Sequence, residues 1–180
     1  MNIPNILSLI RLGLIPVFVG VYFSGLPHDS LIAGLIFLVA FLTDVADGYI
    51  ARRFNMITRL GRLLDPMADK LMKATAVTCM TIRGVIPIWV IIILVAKELT
   101  MLIGSIVFFK RLKDVPSSNW FGKVAEGYLC ALVFFLIIVE LPFSVIVTLW
   151  CIALLLELLA LSVYSAKTYH ALYGEKKGTT

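Results

Sequence analysis

The chain has 180 residues, of which 61% are hydrophobic and 15% are charged. Soluble domains carry about 25% charged residues, and the mean hydropathy here is +1.00, so the composition excludes an ordinary soluble domain and indicates a polytopic membrane protein. The formal net charge is +5. The basic residues flank apolar segments instead of forming a solvated face, which argues against nucleic-acid binding.

Six apolar segments follow one another, each long enough to cross a bilayer as a helix of about 20 residues. The predicted spans are 7–23, 31–53, 61–82, 86–109, 120–139 and 143–164. The predicted fold class is therefore all-α, a polytopic membrane protein with six transmembrane helices. We expect one membrane domain over residues 1–174 and a polar tail over 175–180, with no room for a separate soluble catalytic module.

The N-terminal residues predict a short interfacial helix that leads into the first span. Ile6 and Ile10 share one face, and Ser8 and Arg11 turn partly away from it. Because no small-residue cleavage site follows the first span, we expect that span to remain in the mature protein. The three cysteines lie inside apolar segments and predict packing residues without disulfides; they are Cys79, Cys130 and Cys151.

Basic residues are distributed unevenly between the two ends of the predicted spans. One side carries Arg11, the linker 52–62, the loop 110–123 and the tail lysines, whereas the other side carries Arg83. The positive-inside rule predicts that both termini and the linker 52–62 face the cytoplasm, across a cell (inner) membrane.

Two aspartates lie near the end of the second span and two near the start of the third. Asp44 and Asp47 are three residues apart, and Asp65 and Asp69 are four apart, so each pair occupies one helix face. The connection is short, which predicts that the two helices are neighbours and that the pairs converge. Carboxylates beside so much hydrocarbon need a counter-charge, and hard oxygen ligands favour Mg²⁺, Mn²⁺ or Ca²⁺ over zinc. Pro66 either opens the third helix, with Asp65 as its N-cap, or kinks it.

The residues around the aspartates suit a ligand site. Gly48, Ala51 and Gly61 remove side chains where a ligand or a neighbouring helix must approach. Arg52 can form a forked contact with a phosphate.

The four aspartates are also compatible with three roles outside catalysis. Interhelical Asp–Arg pairs can account for one or two of them, and intramembrane acids also mark the ion paths of cation transporters. The third role is that of a non-catalytic membrane scaffold that keeps the pattern.

The spacing D-x-x-D-G-x-x-A-R-x8-G-x-x-x-D-x-x-x-D resembles the signature of the CDP-alcohol phosphatidyltransferases. Eight positions are in register: Asp44, Asp47, Gly48, Ala51, Arg52, Gly61, Asp65 and Asp69. The segments NIPNILSLIRLGLIPVF and RLLDPMADKL are most similar to the bacterial phosphatidylglycerophosphate synthases and their cardiolipin-synthase relatives.

The resemblance implies a role for each matched position. It implies that a two-metal site for Mg²⁺ or Mn²⁺ is formed by Asp44, Asp47, Asp65 and Asp69, and that Asp69 is also the general base. It implies that the CDP moiety is bound by Gly48, Ala51, Arg52 and Gly61. The implied reaction transfers a phosphatidyl group from CDP-diacylglycerol to glycerol 3-phosphate, giving phosphatidylglycerophosphate and CMP. Other implied acceptors are phosphatidylglycerol (giving cardiolipin), inositol, inositol phosphate and serine, and the resemblance also implies a homodimer in the bilayer.

A phosphorylated acceptor requires a basic pocket, and the candidates are Arg59, Arg62, Lys73, Lys110, Arg111 and Lys123. Each can also be an ordinary positive flank of a span, although Lys73 lies a turn inside the third span. Many phosphatidylglycerophosphate synthases resemble one another in an Arg-Glu pair in the fourth span and a Gly-Lys-x-Lys-Thr run before the fifth. This chain has Lys97-Glu98 and GKVAE at 122–126, which leaves the acceptor open.

Four charged residues inside spans have no assigned role. Lys97 and Glu98 can pair with each other or line the cavity. Glu126 and Glu157 predict polar contacts between helices.

Overall fold

The computed structural model describes the backbone of residues 3–53, 61–111 and 120–173, and the side chains of 6–46, 67–104 and 120–166. This part of the chain forms helices without strands, as predicted. The helices are α1 (Ile3–Tyr22), α2 (Asp29–Arg53), α3 (Gly61–Ile82), α4 (Ile88–Arg111), α5 (Trp120–Ile138) and α6 (Phe143–Tyr173).

The N-terminal region is one helix, not an interfacial helix followed by a span. Pro4 lies in the first turn, where its missing N–H costs nothing, and the helix continues through Pro16. The predicted division of its faces is confirmed. Ile6 and Ile10 are 43% and 48% exposed, whereas Ser8 and Arg11 turn away from them and are 0% and 1% exposed. Polar groups are satisfied inside the protein, and the apolar side chains face outward, as expected next to lipid.

Three helices in the described part of the chain are long and apolar enough to cross a membrane. These segments are Asp29–Ala46, Trp120–Ile138 and Phe143–Ala166, and a shorter apolar segment covers Ile6–Tyr22. The described residues therefore support a membrane protein, and the number of six spans remains a prediction.

The end of α3 has the hydrogen bonds of a Schellman motif. Gly84 has a φ of 73°, and its N–H donates to the carbonyl of Thr81 at 3.0 Å while that of Val85 donates to Met80 at 2.9 Å. A positive φ favours glycine because no Cβ is present to clash. The sequence predicted this break at RGVIP.

Arg83 ties the end of α3 to the turn between α1 and α2. Its Nη2 lies 2.6 Å from Oδ2 of Asp29 and donates to the carbonyl of Tyr22. The guanidinium also lies 4.1 Å from the ring centroid of Tyr22. Partial burial lowers the pKa of Arg83, but the hydrogen bond and charge of Asp29 outweigh this effect and raise the pKa above its ordinary value.

The chain divides into two compact units. Unit 1 comprises Met1–Ile86 and Cys130–Phe143, and unit 2 comprises Pro87–Leu129 and Ser144–Thr180. In unit 1, α1 packs on α2 and α3, and these two helices contact each other. Aromatic rings of Phe18 and Tyr22 stack at 5.6 Å between centroids.

Unit 1 also contains a close approach at Gly34 of α2. A Cβ at this position would lie 2.6 Å from Cγ1 of Ile138, which is closer than carbon atoms pack. Any larger residue at this position would force the Ile138 side chain to shift, so glycine allows this contact between α2 and the end of α5.

Unit 2 contains an ion pair between helices. Nζ of Lys97 on α4 lies 2.8 Å from Glu98 of the same helix and 2.8 Å from Glu157 on α6. Of the two alternatives for Lys97 and Glu98, the structure shows the pair, and the predicted polar helix contact of Glu157 is confirmed. The cysteines are free, as predicted, and Cys151 is exposed instead of packed.

Candidate active site

The end of α2 and the start of α3 carry the predicted carboxylates. Asp44 lies on α2 and Asp69 on α3. These helices contact each other and both pack against α1. The prediction that the two acid-bearing helices are neighbours is confirmed.

Asp44 is held by an arginine from another helix. Nη1 of Arg11 on α1 donates to Oδ1 of Asp44 at 2.9 Å, and the Asp44 side chain is 34% exposed. An interhelical Asp–Arg pair, one of the alternatives to a metal site, is thus present at Asp44. This contact balances the charge of Asp44.

Asp69 is paired within its own helix. Nζ of Lys73, one turn further along α3, lies 2.7 Å from Oδ2 of Asp69, whose side chain is 28% exposed. The spacing of four residues brings the two groups together on one helix face. Lys73 is mostly buried, so its charge acts on Asp69 with less screening than a surface pair would have.

A small cavity in unit 1 lies beside these groups. Its lining residues come from α1, α2, α3 and α5: Arg11, Phe37, Ala40, Phe41, Asp69, Met72, Lys73 and Cys130. The cavity therefore combines one carboxylate and two cations with an apolar wall.

The chemistry of Asp44 and Asp69 fits a hard divalent cation. Both offer carboxylate oxygens, which Mg²⁺ and Mn²⁺ prefer, and both are partly exposed on packed helices. Among the side chains of 6–46, 67–104 and 120–166, no group of three possible metal ligands is found. The side chains of the other two predicted ligands, Asp47 and Asp65, lie outside these ranges.

The remaining predicted site residues can be located mainly by their backbone. The α2 helix carries Asp47, Gly48, Ala51 and Arg52; α3 carries Gly61, Arg62 and Asp65; α4 carries Lys110 and Arg111; Arg59 lies outside the described residues. Because α3 begins at Gly61, Asp65 lies in its second turn and is not its N-cap.

The candidate acceptor residues with described side chains differ in their surroundings. Lys73 lines the cavity next to Asp69. Lys123 belongs to the other unit and is exposed near the start of α5.

Arg11 is a site residue that the sequence did not predict. The sequence indicated only a basic flank at this position, yet Arg11 contacts Asp44 and lines the cavity. A lone arginine in an otherwise apolar helix was the available signal, since such a charge needs a partner.

The fold and the site together define the class of this protein. It is a helical membrane protein with carboxylates on two packed helices, beside a cavity lined by two cations. The chain matches the CDP-alcohol phosphatidyltransferase family over residues 1–161. The chain belongs to this family and is an enzyme of its class. Members of the family depend in general on a divalent metal.

Individual relatives have names within this family. The chain is 29% identical over 157 residues to the Bacillus subtilis CDP-diacylglycerol–glycerol-3-phosphate 3-phosphatidyltransferase, covering 81% of each chain. It is 35% identical over 126 residues to a Mycobacterium tuberculosis protein named probable phosphatidylglycerophosphate synthase, covering 68% of this chain and 59% of the relative. It is also 35% identical over 128 residues to the Streptomyces coelicolor cardiolipin synthase (CMP-forming), covering 69% of this chain and 60% of the relative.

Proposed function

We propose that this enzyme transfers the phosphatidyl group of CDP-diacylglycerol to the hydroxyl of glycerol 3-phosphate. The products are phosphatidylglycerophosphate and CMP. The observation that carries this proposal is the complete eight-position signature in a chain that matches the family over residues 1–161. The name of the Bacillus subtilis relative supports glycerol 3-phosphate as the acceptor.

Asp69 is the proposed general base. Its carboxylate takes the proton of the acceptor hydroxyl as the oxygen bonds to the phosphorus of the phosphatidyl group. The bond from that phosphorus to the oxygen of CMP breaks, and CMP leaves with the electron pair. The contact of 2.7 Å from Lys73 to Oδ2 holds the Asp69 carboxylate in one orientation.

A divalent cation, Mg²⁺ or Mn²⁺, is the proposed cofactor of a two-metal site, and its proposed ligands are Asp44, Asp47, Asp65 and Asp69. When bound, it would neutralise the diphosphate and stabilise the leaving CMP. Arg11 places a positive charge beside Asp44, and Lys73 places one beside Asp69.

The two substrates have separate proposed contacts. The proposed contacts of the CDP moiety are Gly48, Ala51, Arg52 and Gly61. The two glycines and the alanine allow a close approach, and Arg52 contacts a phosphate. Lys73 is the acceptor candidate with the strongest support, because it lines the cavity beside the proposed base. The further candidates are Arg59, Arg62, Lys110, Arg111 and Lys123.

The proposed arrangement in the membrane has six spans and one membrane domain over residues 1–174. Both termini and the aspartates face the cytoplasm, where soluble phosphorylated acceptors are found. The basic linker 52–62 and loop 110–123 support this orientation. A homodimer is proposed from the family resemblance, and cross-linking in native membranes tests it.

Cardiolipin synthesis is the second candidate function. It is favoured by the Streptomyces coelicolor relative and by Lys97-Glu98 and GKVAE at the two places where phosphatidylglycerophosphate synthases have other residues. In that case phosphatidylglycerol would replace glycerol 3-phosphate as acceptor.

An acceptor panel distinguishes these functions. Purified protein is incubated with CDP-diacylglycerol, Mg²⁺ or Mn²⁺, and one alcohol at a time: glycerol 3-phosphate, phosphatidylglycerol, inositol, inositol phosphate or serine. We expect CMP release with glycerol 3-phosphate. Release with phosphatidylglycerol alone would establish cardiolipin synthesis, and absence of release with every alcohol would contradict the enzyme proposal.

A further inference from the structure

Arg11 is a buried cation in the first helix. Its side chain is 1% exposed, although its neighbours along α1 are largely apolar. Removal of a guanidinium from water is costly unless its charge and its donors are satisfied. The contacts of Arg11 therefore indicate what the residue does.

Two donors of the guanidinium attach to one turn of α2. Nε donates to the carbonyl of Ala40 at 3.1 Å, and Nη1 donates to Oδ1 of Asp44 at 2.9 Å. Ala40 and Asp44 are four residues apart, so they lie above each other on one face of the helix. A rigid planar group held at two points fixes the direction of the bond to the carboxylate.

The same turn of α2 is held by a second side chain. Thr43, which precedes Asp44, donates its hydroxyl to the carbonyl of Ala40 at 2.7 Å. The carbonyl of Ala40 is thus a common anchor for Arg11 and Thr43. The backbone that carries Asp44 is fixed by side chains from α1 and α2 together.

Arg11 also lines the cavity that contains Asp69 and Lys73. The residue that holds the α2 carboxylate therefore borders the space beside the α3 carboxylate. A shift of Arg11 would alter the position of the Asp44 carboxylate relative to the Asp69 carboxylate.

We propose that Arg11 is a positioning residue, which orients the Asp44 carboxylate for metal binding and couples α1 to the metal site. This inference rests on the proposed function for the role of Asp44 as a metal ligand. Residues that orient metal ligands typically change metal affinity by about 10- to 100-fold when they are removed.

Direct binding of a substrate phosphate by Arg11 is the competing role. The low exposure of its side chain and the two donors directed at α2 favour positioning. The two roles differ in what is measured, because a phosphate ligand acts on substrate KM and a positioning residue acts on metal affinity.

The test compares Arg11→Gln and Arg11→Lys with Arg83→Gln. Lysine keeps a charge for Asp44 but cannot form the two-point contact, whereas glutamine removes the charge. Arg83→Gln removes another arginine–aspartate pair of unit 1, with Asp29 at the start of α2. Asp29 and Asp44 are roughly 22 Å apart along the helix at 1.5 Å per residue, so this control reports general destabilisation.

The primary measurement is Mn²⁺ binding to the substrate-free protein by electron paramagnetic resonance, with thermal unfolding measured in parallel. We expect Arg11→Gln to raise the half-saturating Mn²⁺ concentration about tenfold or more, and Arg11→Lys to raise it by a smaller factor. Arg83→Gln should lower thermal stability and leave Mn²⁺ binding unchanged. The metal concentration for half-maximal turnover should move with the binding constant.

Two results would overturn the inference. One is unchanged Mn²⁺ binding in folded Arg11→Gln or Arg11→Lys protein. The other is a raised KM for glycerol 3-phosphate with unchanged metal affinity, which would assign Arg11 to the substrate. Mn²⁺ binding that depends on Arg11 in a protein that releases no CMP would instead contradict the proposed function and leave the positioning role intact.

Discussion

At the residue scale, Asp44 and Asp69, the two signature aspartates with described side chains, differ in how their charge is balanced. Asp44 is paired with Arg11 from another helix, and Asp69 is paired with Lys73 from its own. A contact within one helix persists when the helices shift, whereas a contact between helices depends on their packing. The geometry of Asp44 is therefore sensitive to the packing of α1.

Asp69→Asn is the residue change that tests the proposed base. The amide cannot accept the hydroxyl proton, and we expect turnover to fall by about 10²- to 10⁴-fold. Asp65→Asn should also abolish turnover, through loss of a metal ligand. CMP release is the measurement, with size-exclusion elution as the check of folding.

Asp29→Asn is the matched control for these variants, because it alters an aspartate of an ion pair at the other end of α2. It should keep turnover within a small factor and lose thermal stability. Normal activity in folded Asp65→Asn or Asp69→Asn protein would remove the corresponding assignment.

The four acids could be predicted from the sequence, but the contact of Arg11 could not. Asp44 to Asp69 is a local pattern whose spacing alone defines helix faces. The pairing of Arg11 with Asp44 joins positions 33 residues apart, and the choice among possible partners depends on how α1 packs. An arginine in an apolar helix indicates that it has a partner, but the sequence does not identify the partner residue.

At the element scale, Gly34 sets the distance between α2 and Ile138. A methyl group at Gly34 would overlap the Ile138 side chain. We expect Gly34→Ala to destabilise the protein by about 1–3 kcal/mol through overpacking, as measured by thermal unfolding in detergent.

Gly20→Ala is the matched control for this helix contact. Gly20 lies inside α1, and an added Cβ meets no described atom within 4 Å. Alanine there should leave stability unchanged or raise it by up to about 1 kcal/mol through helix propensity. Equal effects at both positions would contradict the packing role of Gly34.

Lys97 tests the packing of α4 on α6 in unit 2. Glu157 is 3% exposed. The Lys97→Met substitution removes the contact at 2.8 Å from Nζ of Lys97 and leaves the charge of Glu157 buried without it. We expect a loss of about 3–5 kcal/mol of unfolding free energy. The double variant Lys97→Met/Glu157→Gln should recover part of this loss, because the unpaired charge is removed.

A double-mutant cycle with Lys97→Met and Glu157→Gln measures this coupling. Additive effects of the two substitutions would mean that the pair does not stabilise the α4–α6 contact. The pairing of Lys97 with Glu98 could be predicted because the residues are adjacent. Its pairing with Glu157 required the fold.

Helix boundaries could be predicted where a breaker marks them. The third span was predicted over 61–82, and α3 covers Gly61–Ile82, because Gly84 provides the C-terminal positive φ. The sixth helix extends to Tyr173, beyond the predicted end at 164. The segment after 164 is polar but lacks glycine and proline up to Tyr173, so the helix outlasts the apolar run.

At the scale of the whole molecule, hydropathy identifies only part of the predicted membrane arrangement. Three described segments meet the length and hydropathy of a span, whereas the described side chains of α1, α3 and α4 cover only 6–22, 67–82 and 88–104. Charges that are paired inside a bundle reduce the hydropathy of a helix without excluding it from the bilayer. The six spans follow from the six apolar segments of the sequence and remain a prediction.

Reporter fusions test the orientation. Arg83 lies on the predicted outer side and is paired with Asp29, while the basic linker 52–62 lies on the predicted inner side. We expect green fluorescent protein fused after Thr180 to fluoresce and alkaline phosphatase inserted at Glu140 to be active. Active phosphatase after Thr180 would contradict a cytoplasmic C-terminus.

The most direct test of the central claim is the stoichiometry of the reaction catalysed by the purified protein. The protein is supplied with CDP-diacylglycerol, radiolabelled glycerol 3-phosphate and Mg²⁺. The account predicts equal amounts of CMP and labelled phosphatidylglycerophosphate, loss of both after chelation of the metal, and recovery on addition of Mg²⁺ or Mn²⁺. CMP formed without labelled lipid, or product formation that is unaffected by chelation, would contradict it.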